Sequence, residues 1–176
     1  MKRRALIAAF LAAPLLGTAC GPKKTTIEGS LAETYVNLEE LAEAADVIAE
    51  ARVLSTTVDR SDGIPWTISS VVIEKIMKGE ISEKITLRQT GTVNEIAEGL
   101  SPAVEEGRRY VMYLVPYVIN DAQTGEYIPV TVGVMEIEGE VAVVPETAEE
   151  LEEFPETVKL SEVEEVAEES SAPGEE

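Results

Sequence analysis

The apolar positions of the chain change their period once, from a helical spacing to a strand-like alternation. Leucine and alanine recur at helical intervals from Leu38 to Ala45, and Asn37 precedes them as a predicted N-cap. From Val47 onward the period is close to two, which indicates strands. The predicted strands span 47–58, 66–77, 84–90, 109–118, 127–132, 134–137 and 141–144. The pattern predicts a mainly β protein, a small antiparallel OB-like barrel or sandwich with one N-terminal helix.

Acidic residues dominate the last part of the chain, residues 146–176. This segment holds 13 glutamates and a single base, Lys159. A capping box at Thr147 predicts one short helix, and residues 161–169 predict a second, with Val163 and Val166 as its apolar side. Residues 170–176 are predicted to be disordered. We interpret the segment as a partly helical, solvated acidic tail, because charge runs are usually solubilising.

The first twenty residues have the pattern of an export signal. Three bases follow Met1, a twelve-residue apolar run extends from Ala5 to Leu16, and small residues lead to Cys20. The run is too short to span a bilayer as a helix. The sequence therefore predicts a lipoprotein signal peptide at 1–20, a flexible tether at 21–33, a β domain at 34–145 and the acidic tail.

Cys20 is the only cysteine and has two interpretations. In the first, which we favour, it carries a lipid anchor such as palmitate, and the protein is exported and held at the extracytoplasmic face of a bacterial membrane. In the second, an ordinary signal peptidase cleaves after Ala19 and leaves a soluble secreted protein. Gly17 keeps the second interpretation open, because the usual lipidation box has leucine at that place.

Composition narrows the classes of function. The chain has 34 acidic and 14 basic residues, a net charge of −20, which argues against nucleic acid as a partner. It has no histidine, which excludes Cys/His zinc sites and histidine-based serine hydrolases. A single cysteine cannot form an intramolecular disulfide. We expect a monomer with no cofactor and no metal.

Two features of the β domain are candidate binding residues. Trp66 is the only tryptophan and begins a predicted strand, where it would anchor a partner or close one end of the core. Arg108 and Arg109 are adjacent bases that would receive an acidic partner, such as the chain's own tail, or lie at a solvated junction before a strand.

Three segments carry a resemblance to known proteins. They are Leu38-Glu39-Glu40-Leu41 leading into Ala45-Asp46-Val47-Ile48, then Met77-Lys78-Gly79, then Gly107-Arg108-Arg109-Tyr110 leading into Met112-Tyr113-Leu114. Over residues 38–145 the chain resembles poorly characterised bacterial secreted or lipoprotein domains, which are similar to the OB-like barrel of netrin-type modules. The resemblance implies this barrel. Netrin-type inhibitors rely on disulfides, which a single cysteine cannot form within the chain. The metalloproteinase inhibitors among them chelate zinc with an N-terminal cysteine packed against the barrel. Cys20 instead precedes the first predicted helix by some 17 residues and is expected to be acylated, so that role is not carried over to it.

These observations predict a membrane-anchored lipoprotein with a non-catalytic binding domain. Its partner is an unidentified protein or envelope ligand. One alternative is a netrin-type protease inhibitor. Another is a carboxylate-based cell-wall hydrolase, which requires two acidic side chains about 5–9.5 Å apart in a cleft.

Overall fold

The computed structural model describes residues 25–27, 35, 37–61, 63–97, 99–148 and 154–171. The predicted export segment, with Cys20, lies outside these residues. The elements within them are β1 (Thr25–Ile27), α1 (Leu38–Ala44), β2 (Val47–Asp59), β3 (Trp66–Lys78), β4 (Lys84–Thr90), β5 (Glu95–Ala97), β6 (Arg109–Ile119), β7 (Ala122–Glu138), β8 (Val141–Val143), a 3-10 turn (Glu146–Ala148), β9 (Thr157–Lys159) and α2 (Leu160–Glu169). The mainly β prediction is confirmed.

Seven strands form one sheet in the order β4-β3-β2-β6-β7-β8-β9, with antiparallel neighbours. The first five strands of this order curl round into an OB-like ring. The ring is closed by a short parallel pairing of β4 with β7, in which Thr86 faces Glu126 and Leu87 faces Tyr127. We call this pairing the closing seam. Because it joins only two residue pairs, the ring is partly open, as is usual for OB barrels.

The sheet buries side chains on both of its faces. The barrel interior is filled by residues such as Val53, Leu87 and Met112. A second core lies outside the barrel, where Ile48 and Tyr113 pack against α1, α2 and the strands β8 and β9. The first half of β2 is therefore buried on both faces, and it reads as a nearly continuous apolar run rather than as an alternation.

Helix α1 is held at both of its ends. The Asn37 side chain accepts a hydrogen bond from the Glu40 backbone N–H at 2.9 Å, which confirms the predicted N-cap. At the other end Lys78 Nζ donates to the Ala42 carbonyl at 2.7 Å. The next residue, Gly79, has a φ of +75° and lies against the Asp46 backbone. Two of the segments that carry the resemblance, the opening helix and Met77-Lys78-Gly79, are therefore in contact.

Part of the acidic tail is integrated into the fold. Strand β9 pairs with β8, and Val158, Val163 and Ala167 are fully buried in the outer core. The solvated spacer expected from the charge is therefore wrong for residues 157–169. The reason is the i, i+4 spacing of Val163 and Ala167, which gives α2 a narrow apolar stripe between its glutamates. Residues 149–153 and 172–176 lie outside the described part.

The structure corrects two further expectations. Residues 122–138 form one long strand, in place of the two predicted at 127–132 and 134–137, and its hairpin with β6 turns through Asn120 and Asp121. Both turn residues have positive φ, 50° and 62°, which suits a two-residue hairpin. Within the predicted tether, β1 pairs in parallel with β5. Among the described residues no helix has the length and apolar character needed to cross a membrane.

Candidate binding site

Strand β4 presents polar side chains on the outside of the barrel. Ile85, Leu87 and Gln89 are buried, which fixes them as the inward-facing set. Successive side chains of a strand point to opposite faces, so Thr86 and Arg88 point outward. The outer face of β4 therefore places a hydroxyl and a guanidinium next to the closing seam.

Arg88 lies between two aromatic rings. Its guanidinium carbon is 5.4 Å from the ring centroid of Trp66 and 5.4 Å from that of Tyr117. The two rings are 6.4 Å apart between centroids and tilted by 41°. These distances are within the range of cation–π contacts. We call these three residues the aromatic–arginine cluster, and it brings together β3, β4 and β6.

A carboxylate holds the guanidinium in this place. Arg88 Nε lies 2.6 Å from Glu126 Oε2, and Arg88 Nη2 lies 3.4 Å from Oε1, so the two groups meet as a fork. Both side chains are largely buried, with 20% and 25% of their surface exposed. The hydrogen bond with Glu126 raises the pKa of Arg88 above its usual range, and Asp59 contributes at longer distance. The cluster is therefore permanently charged and ion-paired.

A polar groove of about 490 Å³ extends from this pair along the closing seam. Glu126 is shared, since it pairs with Arg88 and also lines the groove. Hydroxyl, amide and charged groups dominate the lining, with fewer apolar surfaces. The lining residues are Ser70, Ser82, Lys84, Ile85, Thr86, Pro116, Gln123, Gly125, Glu126 and Tyr127.

Buried polar groups hold the strand ends beneath the cluster. Thr67 Oγ1 donates to the Gly91 carbonyl at 2.7 Å. Gln89 donates to the Pro102 carbonyl at 3.1 Å and accepts from the Val104 backbone N–H at 3.0 Å. Because buried hydrogen bonds are costly to break, they fix the loop before β6 against the ends of β3 and β4. The site therefore lies on a rigid support.

The structure places Arg109 in an ion-pair network on a different part of the sheet. Arg109 Nη2 lies 2.8 Å from Glu50 Oε2, and its Nε lies 2.7 Å from Glu74 Oε2. Arg52 Nε meets the other oxygen of Glu74 at 2.7 Å. Burial alone raises the pKa of Glu74, but the hydrogen bonds from Arg109 and Arg52 outweigh it and lower that pKa. Arg109 is therefore bound to the barrel's own carboxylates.

Arg108 is likewise bound to the barrel's own carboxylates. It forms an ion pair with Glu136 on β7, and its Nε lies 3.8 Å from Glu105 Oε1. These contacts are with the barrel, and not with the acidic tail. Of the predicted binding residues the structure therefore brings Trp66 to the candidate site and leaves the two arginines away from it.

Sequence reasoning missed Arg88, Tyr117 and Glu126 as partners of Trp66. A signal was present on β4, where polar residues occupy every second position from Lys84 to Thr90. Trp66 does not close the core. It is half-buried on the outer face, because the inward positions of β3 are taken by Thr67, Ser69 and Val71.

The candidate site gains no further assignment from metal ligands or from similarity to known proteins. Within the described part of the chain, no three Asp, Glu, His or Cys side chains converge as metal ligands would. No protein-family model matches this chain, and no curated protein matches it either. The groove and the aromatic–arginine cluster are therefore the features that bear on its function.

Proposed function

We propose that the chain is a membrane-anchored extracytoplasmic lipoprotein whose barrel binds an envelope glycan and catalyses no reaction on it. The observation that carries the proposal is the polar groove along the closing seam, which ends at the aromatic–arginine cluster. Binding sites of this kind combine aromatic surface with a few fixed polar groups. The OB-like ring also supports the relationship to netrin-type modules, which remains part of the proposal.

The place of the site on the barrel narrows its ligand class. In OB barrels the face of the second and third strands binds oligonucleotides or oligosaccharides. Because β2 is the first strand of the ring, these strands are here β3 and β4, which supply Trp66, Arg88 and four of the ten residues that line the groove. A net charge of −20 disfavours a polyanionic oligonucleotide. An uncharged, hydroxyl-rich glycan fits the hydroxyl and amide groups of the lining.

The charges in the groove support a binding role. Glu126 is the only carboxylate among the ten residues that line the groove, and Arg88 already holds it in an ion pair. Glycan hydrolysis ordinarily needs two carboxylates flanking the scissile bond. Lys84 and Gln123 are donors that would orient a glycan hydroxyl or N-acetyl group without reacting with it.

The anchoring part of the proposal is tested on Cys20. Membrane and soluble fractions are compared for the wild type and for Cys20→Ser, both expressed with the native export segment. The proposal predicts that the wild type is recovered with membranes and that Cys20→Ser moves to the soluble fraction. Equal recovery of both proteins with membranes would overturn the lipid anchor.

The binding part is tested with glycan strands purified from bacterial cell wall. The full exported chain carrying Cys20→Ser is mixed with these strands, and the fraction that co-sediments is measured. Lys84→Ala is expected to reduce retention several-fold, whereas Lys159→Ala, which removes the same charge from β9, leaves it unchanged. Equal retention of both variants would contradict the groove as the site, and release of soluble fragments would contradict a non-catalytic role.

A further inference from the structure

The N-terminal strand fixes where the chain meets the barrel. In the parallel β1–β5 pair, Thr25 faces Glu95. Arg60, in the turn between β2 and β3, donates a hydrogen bond from Nη1 to Glu95 at 3.2 Å. That turn is also joined to the turn after β4, because the Gly91 backbone N–H donates to the Pro65 carbonyl at 2.7 Å. We call the end of the barrel formed by these two turns the turn end.

The distance between the proposed anchor and the turn end is short. Only four residues separate Cys20 from Thr25. Five Cα-to-Cα steps span at most about 18 Å when fully extended. If Cys20 carries the lipid, Thr25 lies within that distance of the bilayer surface. The turn end is next to Thr25, through the Thr25–Glu95 pairing and the Glu95–Arg60 ion pair. This part of the argument rests on the proposed lipid anchor.

The turn end exposes apolar side chains. Val58 lies at the end of β2, Ile64 in the β2–β3 turn and Val93 in the β4–β5 turn, and they are 52%, 46% and 45% exposed. Exposed large apolar side chains at one end of a domain are candidates for contact with a protein or a membrane. Here the chain geometry brings a membrane to this surface.

The charges along the barrel favour the same orientation. At the turn end Glu95 is paired with Arg60, which lowers the pKa of Glu95, and Asp59 accepts a hydrogen bond from the Ser61 backbone N–H at 2.9 Å. Helices α1 and α2 lie beside the far part of β3, where Lys78 donates to the Ala42 carbonyl and Lys75 pairs with Glu164. The helices themselves carry three and five glutamates and no Lys or Arg. The excess of glutamates on α1 and α2 disfavours contact of these helices with an anionic bilayer.

We infer that the turn end is a membrane-contact surface, on which Val58, Ile64 and Val93 enter the boundary between lipid headgroups and acyl chains. The barrel then stands with α1 and α2 away from the bilayer. Ser70, on the groove wall, lies four residues along β3 from Trp66, about 13 Å further from the turn end. The groove therefore opens sideways, within reach of an envelope ligand close to the membrane.

Depth-dependent fluorescence tests the orientation. Ile64→Cys and Val93→Cys are made in the lipidated full chain, labelled with an environment-sensitive fluorophore and reconstituted into phosphatidylethanolamine–phosphatidylglycerol vesicles. Acylated Cys20 has no free thiol, so each label is unique. The emission maxima of the labels at 64 and 93 are expected to shift to shorter wavelength when vesicles are added. A quencher attached to the acyl chains close to the headgroups is expected to remove most of their emission. Glu165→Cys, on the exposed side of α2, is the matched control and is expected to do neither.

The outcomes separate this inference from the proposed function. If the protein co-sediments with vesicles but the labels at 64 and 93 behave like the label at 165, the orientation is wrong and the anchor stands. A shift that depends on protein concentration and not on lipid indicates contact between copies and overturns the inference. If the wild type does not co-sediment, or Cys20→Ser co-sediments equally well, the anchor fails and the inference fails with it.

Discussion

Arg88 and Glu126 join the two strands that close the barrel. The 2.6 Å contact between Arg88 Nε and Glu126 Oε2 spans β4 and β7 at the closing seam, where the backbone pairing covers only two residue pairs. The same guanidinium contacts Trp66 and Tyr117, and the same carboxylate lines the groove. Barrel closure and the candidate site therefore share one ion pair.

Neutralising Glu126 should weaken the closing seam. Glu126→Gln keeps an oxygen acceptor but removes the charge, so we expect the free energy of unfolding to fall by about 1–2 kcal/mol. Urea denaturation measures this change. The control is Glu105→Gln, whose contact with Arg108 is long and whose side chain is 55% exposed. Glu105→Gln should lower the free energy of unfolding by less than about 0.5 kcal/mol. Equal losses in the two variants would show that the Arg88–Glu126 ion pair does not stabilise the closing seam.

Two buried tyrosines should respond to the same substitution with opposite sign. The Tyr113 hydroxyl is buried, and no hydrogen-bond partner is present for it among the described residues. Tyr113→Phe should therefore stabilise the protein by about 1 kcal/mol or more, because an unsatisfied buried hydroxyl is lost. The Tyr110 hydroxyl accepts from the Glu105 backbone N–H at 3.0 Å. Tyr110→Phe should cost about 1 kcal/mol, and a destabilised Tyr113→Phe would reveal a partner for that hydroxyl.

Gly79 should tolerate no side chain. A Cβ there would lie 2.2 Å from the Asp46 carbonyl oxygen, and the φ of +75° is itself unfavourable for alanine. Gly139, with a φ of +66°, has nothing within 4 Å of the same position. Gly139→Ala should cost about 1–2 kcal/mol from backbone strain alone. Gly79→Ala should cost clearly more in thermal unfolding, and equal losses would show that Asp46 can move away.

Glu74 should contribute to acid sensitivity. Its pKa is lowered from an ordinary value of 4.5 in the folded protein by Arg109 and Arg52, despite the opposing effect of burial. A lowered folded pKa gives stability that is present above the unfolded pKa and lost as pH falls through the folded pKa. Between neutral pH and about pH 3, stability should fall more in the wild type than in Glu74→Gln. Parallel curves would contradict this contribution.

The sequence predicted the strands well, because alternation is a local signal. The prediction from the sequence was less accurate where polar residues are buried. Thr67 and Ser69 are polar, yet both are buried on the inward face of β3 together with Val71, and Thr67 Oγ1 donates to the Gly91 carbonyl there. The segment that contains α2 was predicted to be solvated because glutamates dominate it. Only Val163 and Ala167 of the helix are buried against the outer core.

The candidate site was only partly predictable, because it is assembled by long-range pairing. Trp66 stood out as the only tryptophan. Its contact with Tyr117, and the pairing of Arg88 with Glu126, depend on the closing seam, and no local pattern specifies that seam. The adjacent pair Arg108–Arg109 was conspicuous in the sequence, but the acids that bind it lie on other strands.

The central claim is that the groove beside Arg88 binds a glycan, and Trp66 provides a direct measurement. Because Trp66 is the only tryptophan, the intrinsic emission of the protein reports the candidate site alone. Titration of the soluble Cys20→Ser chain with cell-wall glycan fragments should change this emission saturably. The midpoint should move to several-fold higher glycan concentration in Lys84→Ala and stay unchanged in Lys159→Ala. No saturable change in the wild type, or the same midpoint in both variants, would contradict the account.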